Sequence, residues 1–350
     1  MQDKSRNNFI SIAKAIGIIL MVVGHSGCPA IINSFLYIFH MPLFFVCSGY
    51  FFKEIIDPKT LIVFCKKKIK KLYFPYLSWS IIFLLLHNLF FNIGISPVAP
   101  YCSNDYINHF VKMVFMVEFE LLIRPFWFLK ELIISSIMVA TISLLRNSYF
   151  KWISNDFVFV IIFFLTILCK FETIKLPFLG DISIITFSCT YIYSGILFRK
   201  YEHCIPLNLS TTSIMFAITL IGSALFVGTI DMRYTTIFNI IPYFALSIFG
   251  ILTTFYISKQ LNSISYFKTC LHYIGNHTMP IFVLNLISLK IGSLIKVWIY
   301  KMPTEAMSSH PIIYEYNDYY WIFYTIIGIT IPLFIEASYQ HLIKKVKNVI

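Results

Sequence analysis

The feature that most constrains this chain is the recurrence of apolar runs long enough to cross a bilayer, whose hydrocarbon core takes roughly 17 to 22 residues of helix. Ten windows are read as spans, at 9–26, 35–52, 72–92, 126–145, 157–170, 182–198, 212–230, 237–257, 276–298 and 319–340, of which the fifth is short. Of 350 residues 58% are hydrophobic and only 13% charged. That balance excludes a water-soluble domain and predicts a single all-α polytopic membrane domain over residues 1–350, with about ten transmembrane helices.

The formal charge of +12 does not point to nucleic acid, because the lysines sit in short clusters between apolar runs. That is the pattern of cytoplasmic anchoring. With the N-terminus inside, the basic residues of the inner segments outnumber those of the outer ones by two to one, so both termini are expected in the cytoplasm. Lys4 and Arg6 before an apolar run resemble a signal peptide, but further spans follow, and an uncleaved first span is expected. The eight cysteines are scattered, with no Cys-x-x-Cys pair and no zinc spacing; at most one disulfide, among Cys28, Cys102 and Cys169, fits the outer side.

The first window carries the strongest chemical signal, a lysine and a histidine bracketing an apolar helix from Lys14 to His25. Eleven residues make three turns plus about 20°, so both side chains leave one face about 16 Å apart along the axis. Ionisable groups within a span are costly and mark a functional site by default. Ala13, Gly17 and Gly24 on the other face favour close helix packing. Lys14 either snorkels to the inner interface or faces an internal cleft. His40 opens the second window at the depth of His25 and either caps the helix or acts beside it. Two long outer segments, 93–125 and 299–318, carry carboxylates beside aromatics, suited to sugar or to an interfacial belt.

Several stretches together carry a resemblance. They are Ile12-Ala13-Lys14 through Val22-Val23-Gly24-His25, then Phe39-His40-Met41-Pro42-Leu43-Phe44-Phe45 and Ser48-Gly49-Tyr50-Phe51-Phe52. Weaker ones are the basic cluster before Leu72-Tyr73-Phe74-Pro75-Tyr76, Phe126-Trp127-Phe128-Leu129 and Ile274-Gly275-Asn276. In this order they resemble the acyltransferase 3 family, and within it the branch of fucose and related polysaccharide O-acetyltransferases.

The resemblance implies a multi-pass enzyme of the bacterial cytoplasmic membrane. It would move an acetyl group from cytoplasmic acetyl-CoA, with no metal, to a hydroxyl of a surface polysaccharide or its lipid-linked precursor. His25 matches the family's essential histidine and Lys14 its upstream basic residue. The family's frequent arginine pair appears as Lys68 and Lys71, and with Lys67 and Lys14 these are the expected coenzyme A ligands. Lysine gives point charges rather than a planar fork. Asn285 stands where many members have a second histidine.

In this reading His25 is the general base, with an acetyl-histidine intermediate as the mechanistic variant. His40 orients the acceptor or donates to the oxyanion. Glu131 is the first choice among Glu131, Glu118, Glu120 and Asp181 for a carboxylate that fixes the base. The competing classes are a glycan or solute transporter such as a flippase, and a polysaccharide polymerase. A transporter would more often show paired broken spans in its two halves.

Overall fold

A computed structural model describes residues 2–171, 174–225 and 231–349, with side chains from 8 to 345 within them. Lys4, Arg6 and Lys347 of the charge pattern, and residues 226–230 of the seventh window, fall outside the described side chains or residues. The axis of the molecule is α1 (Gln2–His25), which packs on α2 (Ala30–Tyr50) and on four helices from the C-terminal half. Its apolar residues point all round, and Ile10, Ile12, Ala15, Ile18 and Val22 are buried, as befits a helix enclosed by others.

Asp57 starts α3 (Pro58–Lys68), its carboxylate accepting from the Thr60 N–H at 2.9 Å. This helix carries the basic cluster directly into the third window, so the lysines stand on a helix rather than in a connector. A π-turn, Ile69–Tyr73, joins it to α4 (Phe74–Leu85). Pro75 has no N–H to return to the Lys71 carbonyl, and the Phe74 N–H bonds back five residues to Ile69. Then come α5 (His87–Asn92), α6 (Ser103–Val114), a 3₁₀ turn Leu121–Phe126, α7 (Trp127–Tyr149) and α8 (Asn155–Phe171).

A two-stranded antiparallel hairpin, β1 (Lys175–Leu176) and β2 (Gly180–Asp181), precedes α9 (Ile182–Tyr201). The remaining helices are α10 (Leu209–Leu225), α11 (Ile240–Leu261), α12 (Ser265–Asn276), α13 (Thr278–Tyr300) and α14 (Tyr320–Val349). Helix forms in every one of the ten apolar windows. Seven helices among the described residues are long and apolar enough to cross a membrane. The others are shorter: α8 and α10 have 17 residues each, and the third window is divided between α4 and α5.

The chain is thus an all-α polytopic membrane protein. Its outer helices expose large apolar side chains such as Phe164, Ile214, Ile221 and Phe334, a surface suited to lipid rather than to water. Inside, α2 and α9 cross at backbone contact: a Cβ on Gly49 would lie 1.9 Å from the Ile192 carbonyl oxygen, and one on Gly195 2.1 Å from that of Val46. Gly275 is pressed in the same way onto Ser11 of α1. All eight cysteines are free thiols.

Candidate active site

Two cavities flank α1. The inner one, about 620 Å³, is lined by Lys14, Lys67, Lys68 and Lys71, with Lys53 and a largely apolar wall. All four cofactor-binding candidates therefore meet, although they come from separate helical segments. Lys71 follows Lys67 and Lys68 by four and three residues, the spacing that puts side chains on one helix face, and all three line the cavity across the π-turn. The Lys68 ammonium donates to Ser136 Oγ at 2.9 Å and Ser48 Oγ at 3.3 Å. Burial, then the neighbouring Lys67, pushes it down to about 8.

The outer cavity, about 310 Å³, is lined by His25, His40, Asp231, Arg233, His310 and Trp127, among others. His25 is the last residue of α1, and the turn after it is fixed from outside. Gly27 takes φ +74°, and a Cβ there would strike Ile312 and Asn317 at 2.4 and 2.6 Å. Asn317 Nδ2 donates to the Gly27 carbonyl at 2.9 Å, and Thr325 Oγ1 to Ser26 Oγ at 3.1 Å. Gly24 leaves room for the Tyr37 ring, 3.0 Å from where its Cβ would be.

His40 Nδ1 lies 2.7 Å from the Leu36 carbonyl. A carbonyl only accepts, so Nδ1 carries the proton and the neutral ring keeps Nε2 as an acceptor. It can receive a hydrogen bond from a hydroxyl, but it can give one to an oxyanion only after gaining a second proton. Of its two expected roles, the geometry supports orienting the acceptor.

None of the four expected carboxylates lines the outer cavity. Glu131 is buried in α7 with Oε2 lacking a hydrogen-bond partner among the described residues. It stands four residues, about one turn or 6 Å, farther along α7 than Trp127, which does line the cavity. Glu120 lies 2.9 Å from His87 Nδ1, Glu118 holds Lys112 at 2.8 Å, and Asp181 caps α9 by accepting from the Ser183 N–H at 2.8 Å.

The carboxylate in the cavity is Asp231, which the sequence reading missed. It accepts from Arg233 Nε at 3.0 Å, and the guanidinium lies over the Trp127 ring at 4.2 Å. The signal was an acid and a base two residues apart between apolar windows. His310 was noted only as part of a long loop. Burial, then Lys290 and Arg124, pushes its imidazole down to about 4, so it is neutral near pH 7.

That loop is anchored by two buried lysines of α13. Lys290 donates to the carbonyls of Met307 and Ser309, and Lys296 to that of Ile313 at 2.9 Å. The outer aromatics divide. Tyr101 stacks between His87 and His109, with ring centroids 3.4 and 4.3 Å away, while Tyr319 is exposed.

An enclosed histidine chamber and a basic one, back to back within a bundle of bilayer-length helices, define a polytopic membrane protein with a polar interior site. The family model of acyltransferase 3, described as an acyltransferase domain, matches residues 7–337. The chain belongs to this family and is a membrane acyltransferase. No curated protein and no solved structure matches it.

Proposed function

We propose that the protein is an O-acetyltransferase that moves an acetyl group from cytoplasmic acetyl-CoA to a hydroxyl of a cell-surface polysaccharide or its lipid-linked precursor. One observation carries this reading: α1 presents a lysine to a basic inner cavity and a histidine to an outer one, and the two cavities share walls. The inner cavity suits the donor. Its lysines would hold the phosphates of coenzyme A, and its apolar wall the flexible arm that carries the thioester toward His25.

In the outer cavity His25 takes the proton of the acceptor hydroxyl as its oxygen attacks the thioester carbonyl. The C–O bond forms, the C–S bond breaks, and the proton passes from the imidazolium to the departing coenzyme A thiolate. Asp231 supplies the negative charge in this cavity, partly offset by the Arg233 guanidinium it holds, and that charge favours the imidazolium. His40 Nε2 and neutral His310 offer hydrogen bonds to the sugar. On this reading donor chemistry belongs to the basic, cytoplasmic side and acceptor chemistry to the outer side of a bacterial inner membrane, as the lysine-lined and histidine-lined cavities support.

The test is transfer of labelled acetyl from acetyl-CoA in membranes carrying wild type, His25→Ala or Lys14→Ala. The expected result is loss of transfer in the first variant and a raised donor KM in the second. Wild-type transfer by His25→Ala would overturn the assignment. Deletion of the gene should remove the O-acetyl signal from the glycan while leaving its export unchanged, which a flippase would not do.

A further inference from the structure

Three side chains line both cavities: Met21 of α1, Met41 of α2 and Phe282 of α13. All three are buried, so they close a neck between the two spaces. On the proposed function, coenzyme A phosphates stay with the lysines while the thioester carbon reaches His25. The arm must therefore cross this neck with its acyl group in front.

The three walls of the neck are unequal. Met21 and Met41 are unbranched thioether chains that change rotamer readily. Phe282 is held in an aromatic cluster. Its ring stacks on Phe126 with centroids 5.7 Å apart and planes 9° from parallel, and it meets Phe128 edge-on at 5.9 Å. Phe126 is itself packed on Tyr76 at 5.5 Å, and Phe128 on Phe45 at 5.0 Å. Moving the Phe282 ring means breaking those aromatic contacts, which stabilise beyond the area they bury.

We infer that Phe282 is the residue that restricts the donor to short acyl groups. The methionines swing aside for the arm and an acetyl group, and the fixed ring sets the remaining width. A longer acyl chain meets that ring in the neck. It finds little relief beyond, since the outer cavity of about 310 Å³ must also hold the acceptor sugar.

This inference rests on the proposed function, and the experiment separates the two. Acetyl-, butyryl- and octanoyl-CoA are offered to membranes that hold the native acceptor, and thiol release and label in the glycan are followed. Wild type is expected to favour acetyl. Phe282→Ala and the milder Phe282→Leu should each raise the butyryl-to-acetyl ratio of kcat/KM by about tenfold or more, the range that methylene-sized changes in a pocket produce, whereas Met41→Ala, which shortens a chain that already moves aside, should leave the ratio close to wild type.

Met21→Trp, which plugs the neck, should abolish transfer while coenzyme A still binds to the purified protein. An unmoved chain-length ratio in active Phe282 variants, or wild-type transfer by Met21→Trp, overturns the inference and leaves the proposed function standing. A wild type that transfers from none of the three donors overturns both.

Discussion

Lys14 and His25 share one face of α1, yet each opens into a different cavity. The eleven-residue step from one to the other sets the separation of the two spaces, about 16 Å along the helix. Between the two, Gly17 brings Leu43 and Phe44 of α2 within 3.0 and 3.1 Å of where its Cβ would lie. A single helix thereby sets the distance between a cationic binding region and a basic imidazole, and α2 seals the interval with Met41.

Asp231, rather than Glu131, should control the basicity of His25. Asp231→Asn keeps the shape of the side chain and removes its charge from the outer cavity. Turnover is expected to fall on the order of 10²-fold, the lower end of what acid–base assistance contributes, with the donor KM little changed. Glu131→Gln should leave turnover at the wild-type level. Initial rates with labelled acetyl-CoA read both, and a larger loss in Glu131→Gln would reverse the assignment.

The sequence was most legible where the physical signal is one-dimensional. Apolar runs located a helix in every window, and the Lys14-to-His25 spacing fixed a shared face before any packing was known. What could not be read was direction around an axis set by neighbours. Glu131 follows Trp127 by one helical turn, and only the packing around α7 shows that the cavity includes Trp127 and stops short of Glu131. Asp231 and His310 reach the site from loops whose course depends on distant anchors, Lys290 and Lys296 among them.

Donor binding should weaken above pH 8. Lys68, the last residue of α3, is pushed down to about 8 by burial and by Lys67. Its ammonium is present below that value and lost as the pH rises through it, so affinity for the anionic donor falls on the alkaline side. Removing one charge-assisted hydrogen bond costs about 1.5–3 kcal/mol, so the KM for acetyl-CoA should rise about tenfold or more between pH 7 and 9. Lys68→Arg keeps the charge and should flatten that profile in steady-state kinetics.

The crossing of α2 and α9 should not tolerate a methyl group. A Cβ on Gly49 would sit 1.9 Å from the Ile192 carbonyl oxygen, which is backbone and cannot swing away. Gly49→Ala must force the two helices apart, and overpacking of this kind costs about 1–3 kcal/mol or more. Thermal unfolding of the detergent-solubilised protein should show a lower Tm. Ser48→Ala, next to it but facing the inner cavity, should leave the Tm close to wild type and act instead on the donor KM through Lys68.

A hydrogen-bonded path leads from α13 through the segment 310–318 to the turn after His25. Lys296 Nζ donates to the Ile313 carbonyl at 2.9 Å and to Asn317 Oδ1 at 3.4 Å, and Asn317 Nδ2 donates to the Gly27 carbonyl, two residues after His25. Asn317→Ala removes the link to the turn and leaves a backbone carbonyl without its partner, a loss of about 1–3 kcal/mol where the site is buried. His25 would then sample directions that do not face the donor. The expected result is a fall in kcat with an unchanged KM for acetyl-CoA, because the inner cavity is untouched. Amide exchange should quicken at residues 26–28 and 310–318 together, since the two segments hold each other. Faster exchange in the loop alone, with normal kcat, would mean that the turn after His25 is fixed by Ser26 and Thr325 without help from Asn317.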